Sequence, residues 1–131
     1  MGHVLGVRGA TTADANTRPA ILDATEELLR EVMKANALAE DDIAAIFFTT
    51  TRDLDAEFPA VAARVRVGLA STALMDAPEI PVPGDAERVI RLMMLVNTEK
   101  RKDEVVHVYL RGARKLRARG VEGTSGDGRA V

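Results

Sequence analysis

The sequence predicts an α+β domain in which a mixed β-sheet packs against one long helix and one or two short ones. Three observations carry this prediction. Apolar residues between positions 19 and 36 recur at helical spacing, four or so other stretches are β-prone, and no internal repeat or long linker divides the chain. A length of 131 residues suits one domain with a modest core.

The first strand is predicted at His3–Arg8, within the apolar run that opens the chain. Alternation along a strand puts Arg8 on the face opposite Leu5 and Val7. A guanidinium stays charged at physiological pH and is costly to bury without an anion. The strand therefore predicts that an anion binds Arg8.

The long helix is predicted between Pro19 and Asn36. Asn16 or Thr17 is placed to cap it, and Pro19 suits its first turn. Apolar residues repeat every three or four positions, and charged residues occupy much of the remainder. This pattern is typical of a helix whose apolar face packs on the core.

Four further elements follow the helix. Ile43–Thr51 is a largely apolar run, which favours a strand covered on both faces. Pro59–Leu69 is compatible with a short helix. Arg88–Thr98 carries the strongest strand signal, and Val105–Leu110 is predicted as the last strand.

A β-prone stretch at Ser71–Met75 leads into a segment with prolines at positions 78, 81 and 83. Because proline cannot donate to a ladder, this segment favours an extended edge over a central strand. Beyond Arg111 charged residues and glycine dominate, and residues 120–131 contain four glycines. We therefore expect one domain over residues 1–119 and a flexible C-terminal tail over residues 120–131.

The composition speaks against several classes of function. Without cysteine the chain has no thiolate metal site or cysteine nucleophile, and its two histidines offer little for a metal centre. A net charge of −2 gives no reason to expect nucleic acid or an anionic membrane as a partner. Neither a phosphate-binding glycine motif nor a nucleophile elbow is present. With no signal-like start and no long apolar run, the expected location is cytoplasmic.

The remaining candidates are charged and polar residues in or beside the apolar strands: Arg8, Glu79 between prolines, Arg91 in RVIRLMML and Tyr109 in VVHVYL. Singly, each has a plain structural explanation. An arginine on a half-buried strand is often exposed or in a salt bridge, a loop glutamate is often solvated, and a tyrosine ring often belongs to the core. Their combination is what points to a function.

Five segments occur in the order GVRGATT, DLDAEFPAVAAR, APEIPVPG, RVIRLMMLVNT and VHVYLRGARKLR. In order and spacing they resemble the monofunctional chorismate mutases of the trimeric, α/β-barrel-like class, from residue 4 to about residue 117. The all-helical chorismate mutases are a different class, and their helix-only pattern is absent here. The resemblance implies a pseudo-α/β-barrel homotrimer with one chorismate mutase domain in each chain.

The resemblance also implies an activity and a set of site residues. Chorismate mutase converts chorismate, which carries two carboxylates, to prephenate by an intramolecular Claisen rearrangement in phenylalanine and tyrosine biosynthesis. Arg8 and Tyr109 would hold one carboxylate, which answers the question of the anion. Arg91 would contact the ether oxygen and Glu79 the ring hydroxyl.

Other positions that the resemblance assigns lie outside these strands. Phe58 and Arg64 would come from the neighbouring subunit, with Arg64 at the second carboxylate, so that the sites lie at subunit interfaces. Met75 and Leu116 match wall positions. No cofactor or metal is implied, since the rearrangement is unimolecular and needs no nucleophile.

The chemistry needs residues of these types. The bond from carbon to the ether oxygen breaks ahead of carbon–carbon bond formation, so negative charge gathers on that oxygen. A fixed cation aimed at it binds the transition state better than the ground state. Two carboxylate clamps can hold the side chain of the substrate folded over the ring.

Some positions depart from the family pattern, among them the LRARG ending, which replaces an LRPDL-like one. Val61 stands where a lysine can occur, and Arg52 replaces a proline. Asp76 stands where cysteine or serine is familiar, near the substrate hydroxyl, and a further carboxylate there would weaken binding of a dianion unless it were turned away or protonated. None of these changes touches the four central residues.

Two other functions remain open from the sequence. Small trimeric enamine/imine deaminases share this size and a carboxylate-binding arginine, but they do not account for Arg91 together with Glu79. A non-catalytic trimer that binds a dicarboxylate could have the same sequence features, for example if Asp76 had altered the electrostatics.

Overall fold

The structure is a computed structural model that describes residues 2–116. Within these residues one mixed sheet is formed by β1 (His3–Thr12), β2 (Ile43–Thr50), β3 (Ala73–Pro78), β4 (Val89–Thr98) and β5 (Val108–Tyr109), in the spatial order β3-β2-β4-β1-β5. The central strand β4 runs antiparallel to β1 and β2, whereas β3 is parallel to β2 and β5 is parallel to β1. The predicted mixed sheet is confirmed. The predicted tail over residues 120–131 lies outside the described residues.

The long helix α1 spans Arg18–Ala35, in agreement with the sequence pattern. Thr17 is its N-cap, because its hydroxyl accepts the Ala20 N–H at 3.2 Å. Asn16, the alternative cap, instead bonds across the molecule, where its amide donates to the Asp55 carboxylate at 2.7 Å and its oxygen accepts the Asp55 N–H at 3.0 Å. These bonds hold the loop after β2 against the start of α1.

The second helix begins as α2 (Pro59–Val61) and continues as a π-helical segment over Ala62–Val67. It ends at Gly68, whose φ of 85° lies in the left-handed region that glycine adopts most easily. The helix therefore stops two residues short of the predicted end at Leu69.

The core lies between the helices and one face of the sheet. Its largest fully buried side chains include Val7, Leu28, Leu29, Ile46, Phe48 and Met94. At Gly9 the helix comes so close that a Cβ would lie 3.1 Å from Val32 Cγ2 and 3.2 Å from Leu28 Cδ1. Glycine at this position thus allows α1 to pack directly on β1.

Three strands differ from the prediction by more than one residue. β1 continues past Arg8 to Thr12, because its second half pairs with the first half of β4. β5 shrinks to two residues, because the Asn36 side chain takes both the N–H and the carbonyl of Val106 at 2.8 and 2.9 Å and removes them from the ladder. β3 begins at Ala73 and ends at Pro78, at the edge of the sheet as its prolines indicated.

Candidate active site

Several of the predicted site residues lie on the sheet face that α1 does not cover. Residues opposite each other on neighbouring strands point to the same face. One such row consists of Tyr109, Ala10, Arg91, Thr49 and Ala77. The next row consists of Arg8, Met93, Phe47 and Met75. The register therefore brings both arginines and the tyrosine to one face, although the chain separates them widely.

A cavity of about 300 Å³ opens on this face. It is lined by Arg8, Gly9, Ala10, Phe47, Thr49, Arg91, Leu92, Met93, Tyr109 and Leu116. Four of the residues singled out from the sequence are among these: Arg8, Arg91, Tyr109 and Leu116. The walls are largely apolar with a few converging polar groups, which is the usual make-up of a small-molecule site.

Glu79 joins the cavity through Arg91. The Nε–H of Arg91 donates to Glu79 Oε2 at 2.9 Å, and the hydroxyl of Thr49 donates to the same oxygen at 2.8 Å. Only 12% of the Glu79 side chain is exposed, so these are charge-assisted bonds in a partly dry environment. Asp85 Oδ2 lies 4.0 Å from Arg91 Nη2, too far for a hydrogen bond. Glu79 thus fixes one edge of the guanidinium.

The backbone beside Glu79 is also anchored. Its N–H donates to the Thr50 carbonyl at 2.9 Å, directly after β3 ends at Pro78. The proline-rich segment therefore leaves the sheet at a fixed point, which places the Glu79 carboxylate next to the central strand.

The backbone of Arg8 is bonded to the residue that precedes β5. Its backbone N–H donates to His107 Nδ1 at 2.9 Å. An imidazole nitrogen that accepts a hydrogen bond carries no proton, so the proton of a neutral His107 lies on Nε2. This bond ties β1 to the segment that leads into Tyr109.

The turn after β5 closes one end of the cavity with Leu116. The turn is tied to β1, since the Leu110 N–H donates to the Ala10 carbonyl at 2.9 Å and the Gly112 N–H to the Thr12 hydroxyl at 3.1 Å. Arg111 adds a bond from Nε to Glu27 on α1 at 3.0 Å. Leu116 is consequently buried at the wall.

The single chain does not bring Phe58 and Arg64 into this cavity. Phe58 stands at the N-terminus of α2 with 65% of its surface exposed, and Arg64 is exposed on the π-helical segment. Met75 lies on the same sheet face as Phe47 but is exposed at the edge strand and is not part of the cavity lining.

In the single chain Asp76 does not lie on the sheet face of Arg8 and Arg91, and its place near the substrate hydroxyl stays a prediction from the sequence. It pairs with the buried Phe48, which points toward the helices, and its Oδ1 accepts the Ala60 N–H at 3.1 Å. Burial raises the pKa of the Asp76 carboxyl, while the bond from Ala60 and the nearby Arg64 act in the opposite direction. Asp76 thus accepts a backbone N–H in the first turn of α2.

Sequence reasoning missed Thr49, Phe47 and Met93. The polar run of threonines at the end of the otherwise apolar strand β2 was the signal available for Thr49. That signal gains meaning only from the register, which sets Thr49 directly opposite Arg91.

No group of three or more aspartate, glutamate, histidine or cysteine side chains is arranged to hold a metal ion in residues 2–116. Over the same residues, no helix is long and apolar enough to cross a membrane. The polar groups at the cavity are two guanidiniums, a phenol, a hydroxyl and a carboxylate. They suit a small ligand with an anionic group.

Comparisons with known proteins agree with this geometry. The family model for chorismate mutase type I matches residues 4–119. The chain is 47% identical to chorismate mutase AroH of Thermus thermophilus over 115 residues, which cover 87% of this chain and 93% of that protein. It is 36% identical to chorismate mutase AroH of Bacillus subtilis over 107 residues, or 82% and 84% of the two chains.

A solved structure shows the same fold. The chorismate mutase from Clostridium thermocellum superposes with a TM-score of 0.84 and is 54% identical, covering 86% of this chain and 99% of its own. Sequence and structure thus agree over nearly all of the described residues. The chain belongs to the chorismate mutase type I family.

Proposed function

We propose that the cavity at Arg91 catalyses the rearrangement of chorismate to prephenate, the reaction for which the family is named. An isomerase of this kind breaks one carbon–oxygen bond and forms one carbon–carbon bond within a single molecule, so no atom enters or leaves. The observation that carries the proposal is the Arg91 guanidinium, which Glu79 fixes at 2.9 Å on the face that also presents Arg8 and Tyr109.

Arg91 would act at the ether oxygen. This oxygen is almost neutral in the substrate and gains negative charge as its bond to carbon breaks. A guanidinium already held in place by Glu79 would need little reorganisation to meet that charge, and it would bind the transition state more strongly than the substrate.

Arg8 and Tyr109 would hold a carboxylate of the substrate, in the neighbouring part of the cavity. Both sit on strands tied together through β1 and β5, so the clamp is rigid. Glu79 would accept the ring hydroxyl, because both of its described bonds use Oε2 and leave Oε1 to face another donor. Leu116 and Met75 would supply apolar walls.

We further propose that the sites are completed in a homotrimer. The uncovered sheet face exposes large apolar side chains at Phe47, Met75 and Met93, a feature typical of a surface that a partner covers. Phe58 and Arg64 are exposed on a different element, where a neighbouring copy could present them to the cavity. Arg64 would then face the second carboxylate.

Three further assignments stay predictions from the sequence. The chorismate mutase domain is expected to span residues 1–119, the protein is expected to be cytoplasmic, and the reaction is expected to serve phenylalanine and tyrosine biosynthesis. The substrate and product, chorismate and prephenate, are its expected small-molecule partners.

The activity is tested by incubating the purified protein with chorismate and following the absorbance of the substrate's diene, which the rearrangement destroys. Loss of absorbance with formation of prephenate supports the proposal. Binding of chorismate without turnover would favour the non-catalytic dicarboxylate-binding protein. If the protein neither binds chorismate nor converts it, both candidate functions are overturned.

A further inference from the structure

We propose that Thr49 is a positioning residue for the reaction, and that its hydroxyl orients Arg91 by fixing the Glu79 carboxylate. The inference rests on the proposed role of Arg91. It assigns a task to a side chain that touches the catalytic ion pair, and it explains why a polar residue interrupts the cavity side of an apolar strand.

The geometry places three groups in one chain of contacts. Thr49 Oγ1 donates to Glu79 Oε2 at 2.8 Å, and Arg91 Nε donates to the same oxygen at 2.9 Å. Thr49 and Arg91 are directly opposite each other on β2 and β4, two adjacent strands inside the sheet. Both donors therefore come from rigid backbone, whereas Glu79 comes from the proline-rich segment that follows the edge strand.

A carboxylate held by one donor can turn about that bond. Two donors that converge on one oxygen from fixed strands restrict the Glu79 carboxylate to one position and leave Oε1 unused by either. Threonine suits this task, because branching at Cβ limits the rotamers that its hydroxyl can take. The second carboxylate near the guanidinium, that of Asp85, stands 4.0 Å from Nη2 and offers Arg91 an alternative partner.

Removal of the Thr49 hydroxyl would free the Glu79 carboxylate to turn and let the guanidinium shift toward Asp85. A displaced cation still balances the charge of the bound substrate, but it meets the ether oxygen poorly in the transition state. The loss would consequently fall mainly on kcat, with only a small rise in KM from the less firmly held Glu79 carboxylate.

Thr49→Val is the direct test, because valine keeps the shape and favours strands. We expect kcat to fall about tenfold, the scale of one hydrogen bond to a charged group, with KM within about twofold of the parent. Thr49→Ser retains the hydroxyl and should keep kcat within about twofold of the parent. Thr49→Ala repeats the measurement if the valine variant does not fold.

The matched control is Thr72→Val. The Thr72 hydroxyl also donates to a glutamate, Glu40 Oε2 at 3.0 Å, but this pair lies outside the cavity. The control should leave kcat unchanged, which separates positioning from the general loss of a threonine–glutamate bond.

A parental kcat in Thr49→Val, or a drop in thermal stability with no change in kcat, would overturn the inference. Equal losses in the valine and serine variants would also overturn it, since the hydroxyl would then not matter. Arg91→Ala keeps the two levels apart: if that variant is inactive while Thr49→Val is normal, only the role of Thr49 is wrong, and if it is fully active, the proposed role of Arg91 fails.

Discussion

Phe47 and Phe48 are neighbours in β2, and they belong to two different environments. Phe48 is 1% exposed in the core beneath the helices, whereas Phe47 is 39% exposed and lines the cavity on the other face. The same contrast holds along β4, where Leu92 and Met94 are buried against the helices while Arg91 and Met93 face the cavity. One face of the sheet packs against the helices, and the other carries the cavity.

The difference shows how a period of two divides the work of a strand. On the covered face the register is fixed by packing, because a one-residue slip would bury the charged set and expose the core. The same register then aligns the residues of the open face, so no further residues are needed to align them. Arg8 and Arg91 therefore depend for their placement on side chains that they do not touch.

The largest effect should come from removing the cation of the open face. We expect Arg91→Ala to lower kcat by at least ~10²–10³-fold, because the lost interaction is made mainly in the transition state. Arg91→Lys keeps the charge but replaces a planar fork by a mobile point charge, so kcat should fall more than KM rises.

Steady-state kinetics with chorismate measures both variants. Arg8→Ala is the comparison. It should lower kcat and raise KM, since the substrate carboxylate that Arg8 is proposed to bind is charged throughout the reaction. Wild-type kcat in Arg91→Ala would contradict the assignment of the open face.

The second test replaces each of the two phenylalanines by alanine in a separate variant. Phe48→Ala should lower the free energy of unfolding by about 3–5 kcal/mol, the usual cost of emptying a core site. Phe47→Ala should cost less than about 1 kcal/mol of monomer stability and should raise KM, because the side chain is at the cavity wall.

Chemical denaturation at one fixed protein concentration, with kinetics on the folded variants, separates the two outcomes. If both variants lost the same stability, or if Phe48→Ala alone changed KM, the division between the faces would be wrong.

A third test asks whether a partner completes the open face. Arg91→Ala and Arg64→Ala are each expected to be poorly active. If one subunit supplies Arg91 and its neighbour supplies Arg64, random co-assembly in equal amounts should restore about one quarter of the sites.

Co-expression with two tags and an assay with chorismate before the species are separated gives this fraction, and the purified mixed trimers alone should show about one third of the sites. Mixing after assembly, without exchange of subunits, is the negative control. Activity no higher than the sum of the two variants, or a fully active monomer in sedimentation, would refute sites shared between subunits.

The smallest expected effect concerns the covered side, at Asp76. Asp76→Ala should lower the free energy of unfolding by about 1 kcal/mol, because the Ala60 N–H loses its hydrogen-bond acceptor. Asp76→Asn keeps an acceptor oxygen and should be at least as stable as the parent at neutral pH.

The pH dependence follows from the raised pKa of the Asp76 carboxyl. The folded protein binds this proton more tightly than the unfolded chain does, so stability falls as the pH rises from the unfolded value through the folded one. Thermal unfolding between about pH 4 and pH 8 should show that the stability of the parent rises relative to that of Asp76→Asn as the pH is lowered. If the stability advantage of Asp76→Asn over the parent instead grew toward acid, the raised pKa of the Asp76 carboxyl would be contradicted.

Much of the fold is predictable because it is local. The helical period and the cap at Thr17 gave α1 to within one residue at each end, and the alternation around Arg8 gave the two faces of β1. The extent of β1 and β5 was not predictable, since Gly9–Thr12 are strand only because β4 pairs with them. Val106 leaves the ladder only because Asn36, distant in sequence, binds its backbone.

The candidate site divides in the same way. The four central residues were identified from a resemblance, and the single chain brings Arg8, Arg91 and Tyr109 into one cavity, with Glu79 bonded to Arg91. Thr49 needed the register before it could be recognised. The face on which Asp76 lies follows from alternation along β3. It could not be predicted, because the sequence pattern ended the strand at Met75.

The strand order has a consequence for how the protein is made. β1 is the first strand to leave the ribosome, yet both of its neighbours in the sheet, β4 and β5, are translated last. His3, for example, can pair only after Thr98 has been synthesised. Contacts this remote in sequence make folding slow, and until β4 arrives the edges of β1 and β2 stay open to other chains. Synthesis must therefore pass through a long interval in which the half-made chain is exposed to aggregation, and a chaperone that shields nascent strands should raise its yield.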